Sequence, residues 1–137
     1  MDPKKYLQQA KDIDRRIKVK KKLIAKNYES LYGKAISFGG DGGQNCTGEN
    51  GTEKAIIRVL DYEEQVNEEI RKLLQRRIEI EQVIDKIPDE THREILERRY
   101  LLYESWEEIS EEMHYSEQHL YRLHGVALTY LREILEK

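Results

Sequence analysis

The sequence predicts an all-α chain, with a long N-terminal helical hairpin of coiled-coil character followed by a C-terminal helix-turn-helix. Three observations carry this. Charged residues make up 37% of the chain and apolar residues 38%, the balance of long amphipathic helices that bury one stripe and leave the rest in water. Pro3 and Pro88 are the only prolines, and no glycine or proline falls between residues 53 and 87. Within the segments so bounded, apolar side chains recur at steps of three, four and seven, the period of a helix face.

The first helix starts at its capping signal. Asp2 is placed to accept an orphan amide, and Pro3 suits the first helical position because its missing N–H is one the helix cannot pair. Tyr6, Ala10, Ile13, Ile17, Ile24, Tyr28 and Leu31 then share a face opposite the lysines. Seven glycines between Gly33 and Gly51 mark a flexible connector. Gly33-Lys34 is followed by alanine, without the hydroxyl residue or the preceding strand of a phosphate-binding loop. Beyond Thr52, apolar positions from Ile56 through Val66, Ile70 and Leu73 to Ile87 keep helical spacing up to Pro88, a helix of about nine turns. Its narrow stripe predicts lengthwise antiparallel packing on the first helix, with a dimeric coiled coil as the alternative.

Pro88 breaks that helix, and Asp89 caps another running through Ile95, Leu96 and Tyr100 to Leu102. Ser105-Trp-Glu-Glu108 reads as a capping box opening a two-turn helix with Trp106, Ile109 and Met113 on one stripe. After a short turn, Ser116 caps a last helix whose inward face is Leu120, Leu123, Ala127, Leu128 and Leu131. Two parts follow: residues 1–88 as the hairpin, with the connector at 33–51, and residues 89–137 as the helix-turn-helix.

In such a unit the second helix enters the major groove of double-stranded DNA. The residues at its start that face away from the core are Glu117, Gln118, His119, Tyr121 and Arg122, just after the Ser116 cap. Gln118 suits the adenine N6/N7 edge, and Arg122 suits guanine O6/N7 or a phosphate.

Trp106-Glu-Glu-Ile109, Met113-His-Tyr-Ser116, Leu120-Tyr-Arg-Leu123 and Ala127-Leu-Thr-Tyr-Leu131-Arg132 resemble region 4 of the sigma-70 family factors. His124-Gly125-Val-Ala-Leu128 and the Tyr-Leu-Gln-Gln opening at Tyr6 are similar to small phage and prophage regulators of the RinA and ArpU kind. That resemblance implies an activator of late phage genes, for packaging or lysis, that binds near a promoter and touches the host RNA polymerase in the bacterial cytoplasm. The sequence departs from the usual Leu-Gly-Val-Ser turn, because His114 stands where glycine is typical. A histidine there is expected to adopt the left-handed backbone at some cost. Glu117, His119 and Tyr121 replace the arginines common in sigma-like readers, so the target need not be a −35 element.

Net charge is −3 but unevenly spread: residues 1–32 carry ten Lys/Arg against four Asp/Glu, while residues 89–137 carry six against twelve. Phosphate neutralisation supplies much of DNA affinity, so an acidic reader needs compensation. Lys18, Lys20, Lys21 and Lys22, with Lys26, are the expected backbone contacts, and Glu107, Glu108, Glu111 and Glu112 are expected to face a protein. Binding as a homo-oligomer on neighbouring half-sites would add to this.

Other classes are disfavoured. A single cysteine, Cys46, forms no internal disulfide, and no apolar run approaches the roughly 20 residues of a membrane span. The four histidines and one cysteine close no ligand set for zinc, and no carboxylate pair lies in an apolar setting suited to acid/base work, so neither a metal, a cofactor nor an enzymatic activity is expected. A rival reading keeps the helices as a protein-binding surface alone, in a phage packaging, assembly or polymerase-binding adaptor.

Overall fold

The computed structural model describes residues 2–40 and 46–137, with side chains at 2–30, 51 and 53–137. Among these, every regular element is helical: α1 (Pro3–Gly40), α2 (Cys46–Asp85), α3 (Glu90–Leu96), a π-helical turn (Glu97–Leu101), α4 (Trp106–Met113) and α5 (Glu117–Glu136). The all-α expectation holds. Asp2 opens α1 as predicted, its carboxylate accepting the Lys4 amide at 3.0 Å while Pro3 is buried beneath.

The connector expected at 33–51 is helical on both flanks, because α1 extends to Gly40 and α2 begins at Cys46. Residues 41–45 lie outside the described residues. Glycine costs a helix about 1 kcal/mol per position, yet extending an existing helix needs no new nucleus, so composition alone does not end it.

The chain forms two compact units, Arg16–Leu73 and Met1–Arg15 with Leu74–Lys137. In the first, Lys20 donates to the Glu69 carboxylate and the Tyr28 hydroxyl to Glu63. Advancing along α1 means retreating along α2, so the two run antiparallel as the sequence predicts. Among the described side chains of this unit, Ile17, Val66, Ile70 and Leu73 are buried. Ile56, expected on the inward stripe, is instead 43% exposed.

The second unit divides the chain differently from a boundary at residue 88. The opening turns of α1 belong with the C-terminal helices, because Tyr103 donates to the Ala10 carbonyl at 3.1 Å and Arg77 meets Asp14 at 2.8 Å. Leu7, Ala10 and Ile13 of α1 are buried there, as are Ile80, Ile84 and Ile87. Leu7 falls one residue after the predicted Tyr6, which is half-buried. Past Asp85 the Lys86 and Ile87 amides turn back to the Val83 and Ile84 carbonyls, and Asp89 caps α3 by accepting the Thr91 amide at 2.8 Å.

The helix expected to run unbroken to Leu102 widens at Glu97. The Leu102 amide bonds the Glu97 carbonyl, five residues back, at 3.0 Å. This phase change explains the burial pattern: Ile95 and Tyr100, then Leu96 and Leu101, are buried at a spacing of five that a regular helix would rotate apart.

Candidate nucleic-acid interface

Alpha4 and α5 stand on a small core. Ser105 Oγ accepts the Glu108 amide at 3.2 Å and so fixes the start of α4, which sends Ile109 inward with Trp106 and Met113 beside it. Its end is the predicted left-handed residue, His114 with φ 60° and ψ 38°, whose amide bonds the Ser110 carbonyl at 3.0 Å. The Ser110 hydroxyl donates to the Tyr115 carbonyl and ties down the turn. Ser116 then caps α5, accepting the His119 amide at 3.2 Å. Fully buried Ile95, Ile109 and Leu120 form the core beneath, with Leu123 packed partly against it. Farther along α5, Ala127 and Leu131 are buried, whereas Leu128 is half-buried.

This arrangement presents the start of α5 to solvent. Gln118 and Arg122 are exposed one helical turn apart, and with Ser116 and His119 they line one shallow depression. Arg122 Nη2 lies 2.9 Å from His119 Nδ1. Since a guanidinium only donates, Nδ1 is the acceptor and holds the arginine in place. His119 is itself set edge-on to Tyr115, with ring centres 5.0 Å apart. Glu117 is exposed and sits in the first turn, where a carboxylate favours the helix dipole.

Tyr121 is 51% exposed, but its ring meets Trp106 edge-on at 5.3 Å, so it braces α5 on α4 as well as facing outward. Trp106 also meets the His124 ring at 4.8 Å and lies 4.9 Å from the Arg99 guanidinium carbon. The Tyr100 hydroxyl and His124 Nε2 are 2.9 Å apart. Burial, followed by the positive charges of Lys4 and Arg99, pushes the His124 pKa down to about 4, so the ring is neutral at physiological pH.

The predicted site residues fall into two groups. Ser116, Glu117, Gln118, His119, Tyr121 and Arg122 come together, all within the unit that holds α3 to α5. Lys18, Lys20, Lys21 and Lys22 belong to the other unit. Lys18, Lys21 and Lys22 are exposed, while Lys20 is half-buried and paired with Glu69, whose pKa that bond lowers. Glu107, Glu108, Glu111 and Glu112 are all exposed on α4.

Sequence reasoning missed Arg99, His124 and the Asp14, Arg77 and Tyr103 set. Arg99 carried a signal: unlike Arg98, which bonds Glu94 at 2.8 Å, it has no acid three or four positions away on either side. Among the described residues, no group of three or more His, Cys, Asp or Glu is placed to hold a metal ion, and no helix is long and apolar enough to cross a membrane.

No match to the chain was found among curated proteins or solved structures. A family model does match, over residues 41–132, which takes in α2 through most of α5, and the chain belongs to that family, DUF1492, proteins of unknown function.

Proposed function

We propose that this protein is a sequence-specific DNA-binding transcriptional regulator that reads the major groove with the first two turns of α5. One observation carries the reading: behind a Ser116 cap and a left-handed turn, Gln118 and Arg122 are exposed one helical turn apart over a fully buried apolar cluster. Gln and Arg are the side chains that make paired hydrogen bonds to adenine and guanine edges, and each good pair discriminates by about 1–3 kcal/mol. The His119 bond reduces the conformational freedom that Arg122 must lose on binding.

The four exposed glutamates of α4 would repel phosphates, so in this reading that face turns to a protein. Contact with the host RNA polymerase makes the protein an activator, and the resemblance to RinA and ArpU points to late phage genes for packaging or lysis. Two copies on neighbouring half-sites would double the base contacts. The same acidic face favours a second reading, in which the helices serve solely as a packaging or polymerase-binding adaptor.

Selection of bound fragments from fragmented genomic DNA separates the two. A regulator enriches a defined sequence upstream of transcribed genes. Recovery no better than random DNA sinks the reader and leaves the adaptor.

A further inference from the structure

The acidic reader needs positive charge, and its own unit supplies some that the lysine run does not. Gln8 and Lys11 of α1, with Arg99, Tyr100 and Tyr103, line a groove about 170 Å³ in volume. Arg99 is half-buried, yet among the described residues neither it, Lys4 nor Lys11 takes part in an ion pair. Two nearby acids have cations of their own, and the third, beside Tyr100, holds a backbone amide. Glu104 pairs with Arg98 at 3.1 Å, Asp14 with Arg77 at 2.8 Å, and Asp2 caps α1. Arg99 spends one N–H on the Glu104 carbonyl, 3.0 Å away, which leaves its other donors to the groove. An unneutralised, partly desolvated guanidinium beside a lysine is an anion site in want of its anion.

The groove is joined to the reading helix through rings: Arg99 lies over Trp106, and Trp106 meets Tyr121, the neighbour of Arg122. We propose that Arg99 and Lys11 bind a phosphate of the DNA backbone flanking the groove that α5 reads. The inference rests on the DNA-binding reading. It gives the acidic C-terminal helices their positive charge from the opening turns of α1 and from the π-helical turn, in place of Lys18 to Lys22.

The test compares the full chain with Lys11→Gln, Arg99→Gln, the double variant and Arg99→Lys, on a random-sequence duplex and on the tightest genomic fragment recovered. Affinity is measured across salt concentrations, with melting curves to establish that each variant is folded. Loss of this one phosphate contact should flatten the slope of log affinity against log salt by about 0.9 in the double variant, and by no more than that in either single variant. Both duplexes should weaken by the same factor, because a phosphate carries no sequence. Arg99→Lys should retain most of the slope, which ties the effect to charge rather than to stacking on Trp106. If the parent binds both duplexes and the folded Gln variants keep its slope and affinity, the groove is no phosphate site while the DNA reading stands. A parent that binds neither duplex overturns both. Weakening confined to the genomic fragment also overturns the inference, since it makes the groove a reader of sequence.

Discussion

Arg77 Nε lies 2.8 Å from Asp14 Oδ1, an ion pair between residues 63 apart in the chain. The other guanidinium nitrogens reach Glu81 at 2.7 Å and the Leu101 carbonyl at 3.2 Å. Asp14 also accepts from the Tyr103 hydroxyl, so α1, α2 and the end of the π-helical turn share one polar knot. Burial opposes the Arg77 charge, but Asp14 and Glu81 more than offset it and its pKa is raised. Burial first, then the Asp14 bond, pushes Tyr103 up to about 12, which keeps its hydroxyl a donor across the physiological range.

Arg77→Met keeps most of the stem and removes the fork, leaving Asp14 without its cation and the Leu101 carbonyl without its donor. With the side chain 22% exposed, solvent screens part of the loss, and the expected cost is about 1–3 kcal/mol. Urea titration of the single and double variants with Asp14→Asn gives the coupling. Additive effects would mean the pair is ornamental.

His124 makes stability depend on pH in a predictable direction. Its folded pKa of about 4 lies below the 6.5 of an unconstrained histidine. Above pH 6.5 both states are neutral and the residue contributes no pH dependence. Between 6.5 and about 4 the unfolded chain takes up a proton that the folded chain refuses, so stability falls as pH falls. Partial solvent access discounts the full linkage value to about 1–3 kcal/mol. His124→Gln should melt with a shallower pH dependence than the parent across this window. Parallel curves would place the acid sensitivity elsewhere.

At φ 60° and ψ 38°, His114 stands where glycine carries no steric penalty. His114→Gly should stabilise the chain by up to about 1 kcal/mol, the relief of left-handed strain partly offset by glycine's greater freedom when unfolded. His114→Val should destabilise it, since a β-branched residue resists that conformation most. The pair of melting temperatures checks both signs.

The local signals proved legible because each acts within a few residues. Asp2, Asp89, Ser105 and Ser116 all cap where the sequence places them, and His114 takes the left-handed conformation of the position where glycine is typical. What the sequence hid is non-local. Nothing near Asp14 announces that Arg77 and Tyr103 converge on it, and so nothing announces that the first turns of α1 belong with α3 to α5. The widening at Glu97 was readable in principle from the doublets Ile95-Leu96 and Tyr100-Leu101, whose spacing of five fits a π turn better than an α turn. Lysine density is visible in the sequence, whereas the burial of Arg99 in a groove depends on how α1 packs and is not.

Substitutions should separate the exposed start of α5, the proposed reading surface, from the core that supports it. Gln118 and Arg122 are exposed, so Gln118→Ala and Arg122→Ala should leave the melting temperature nearly unchanged. Each should still remove about 1–3 kcal/mol of preference for the selected fragment over random DNA. Leu120→Ala should do the reverse. That side chain is fully buried in one cluster with Ile95 and Ile109, and its truncation opens a cavity at a cost of about 2–5 kcal/mol. Leu123 is only partly buried against the same cluster, so its truncation should cost less. His119→Phe adds a control for orientation: it keeps a ring against Tyr115 but removes the acceptor for Arg122, and should lower discrimination at the base Arg122 contacts while sparing stability. Binding curves on matched and mismatched duplexes, read beside thermal melts, give the full pattern. If Gln118→Ala and Arg122→Ala bind the selected fragment as tightly and as selectively as the parent, α5 does not read DNA through these residues and the regulator reading loses its physical basis.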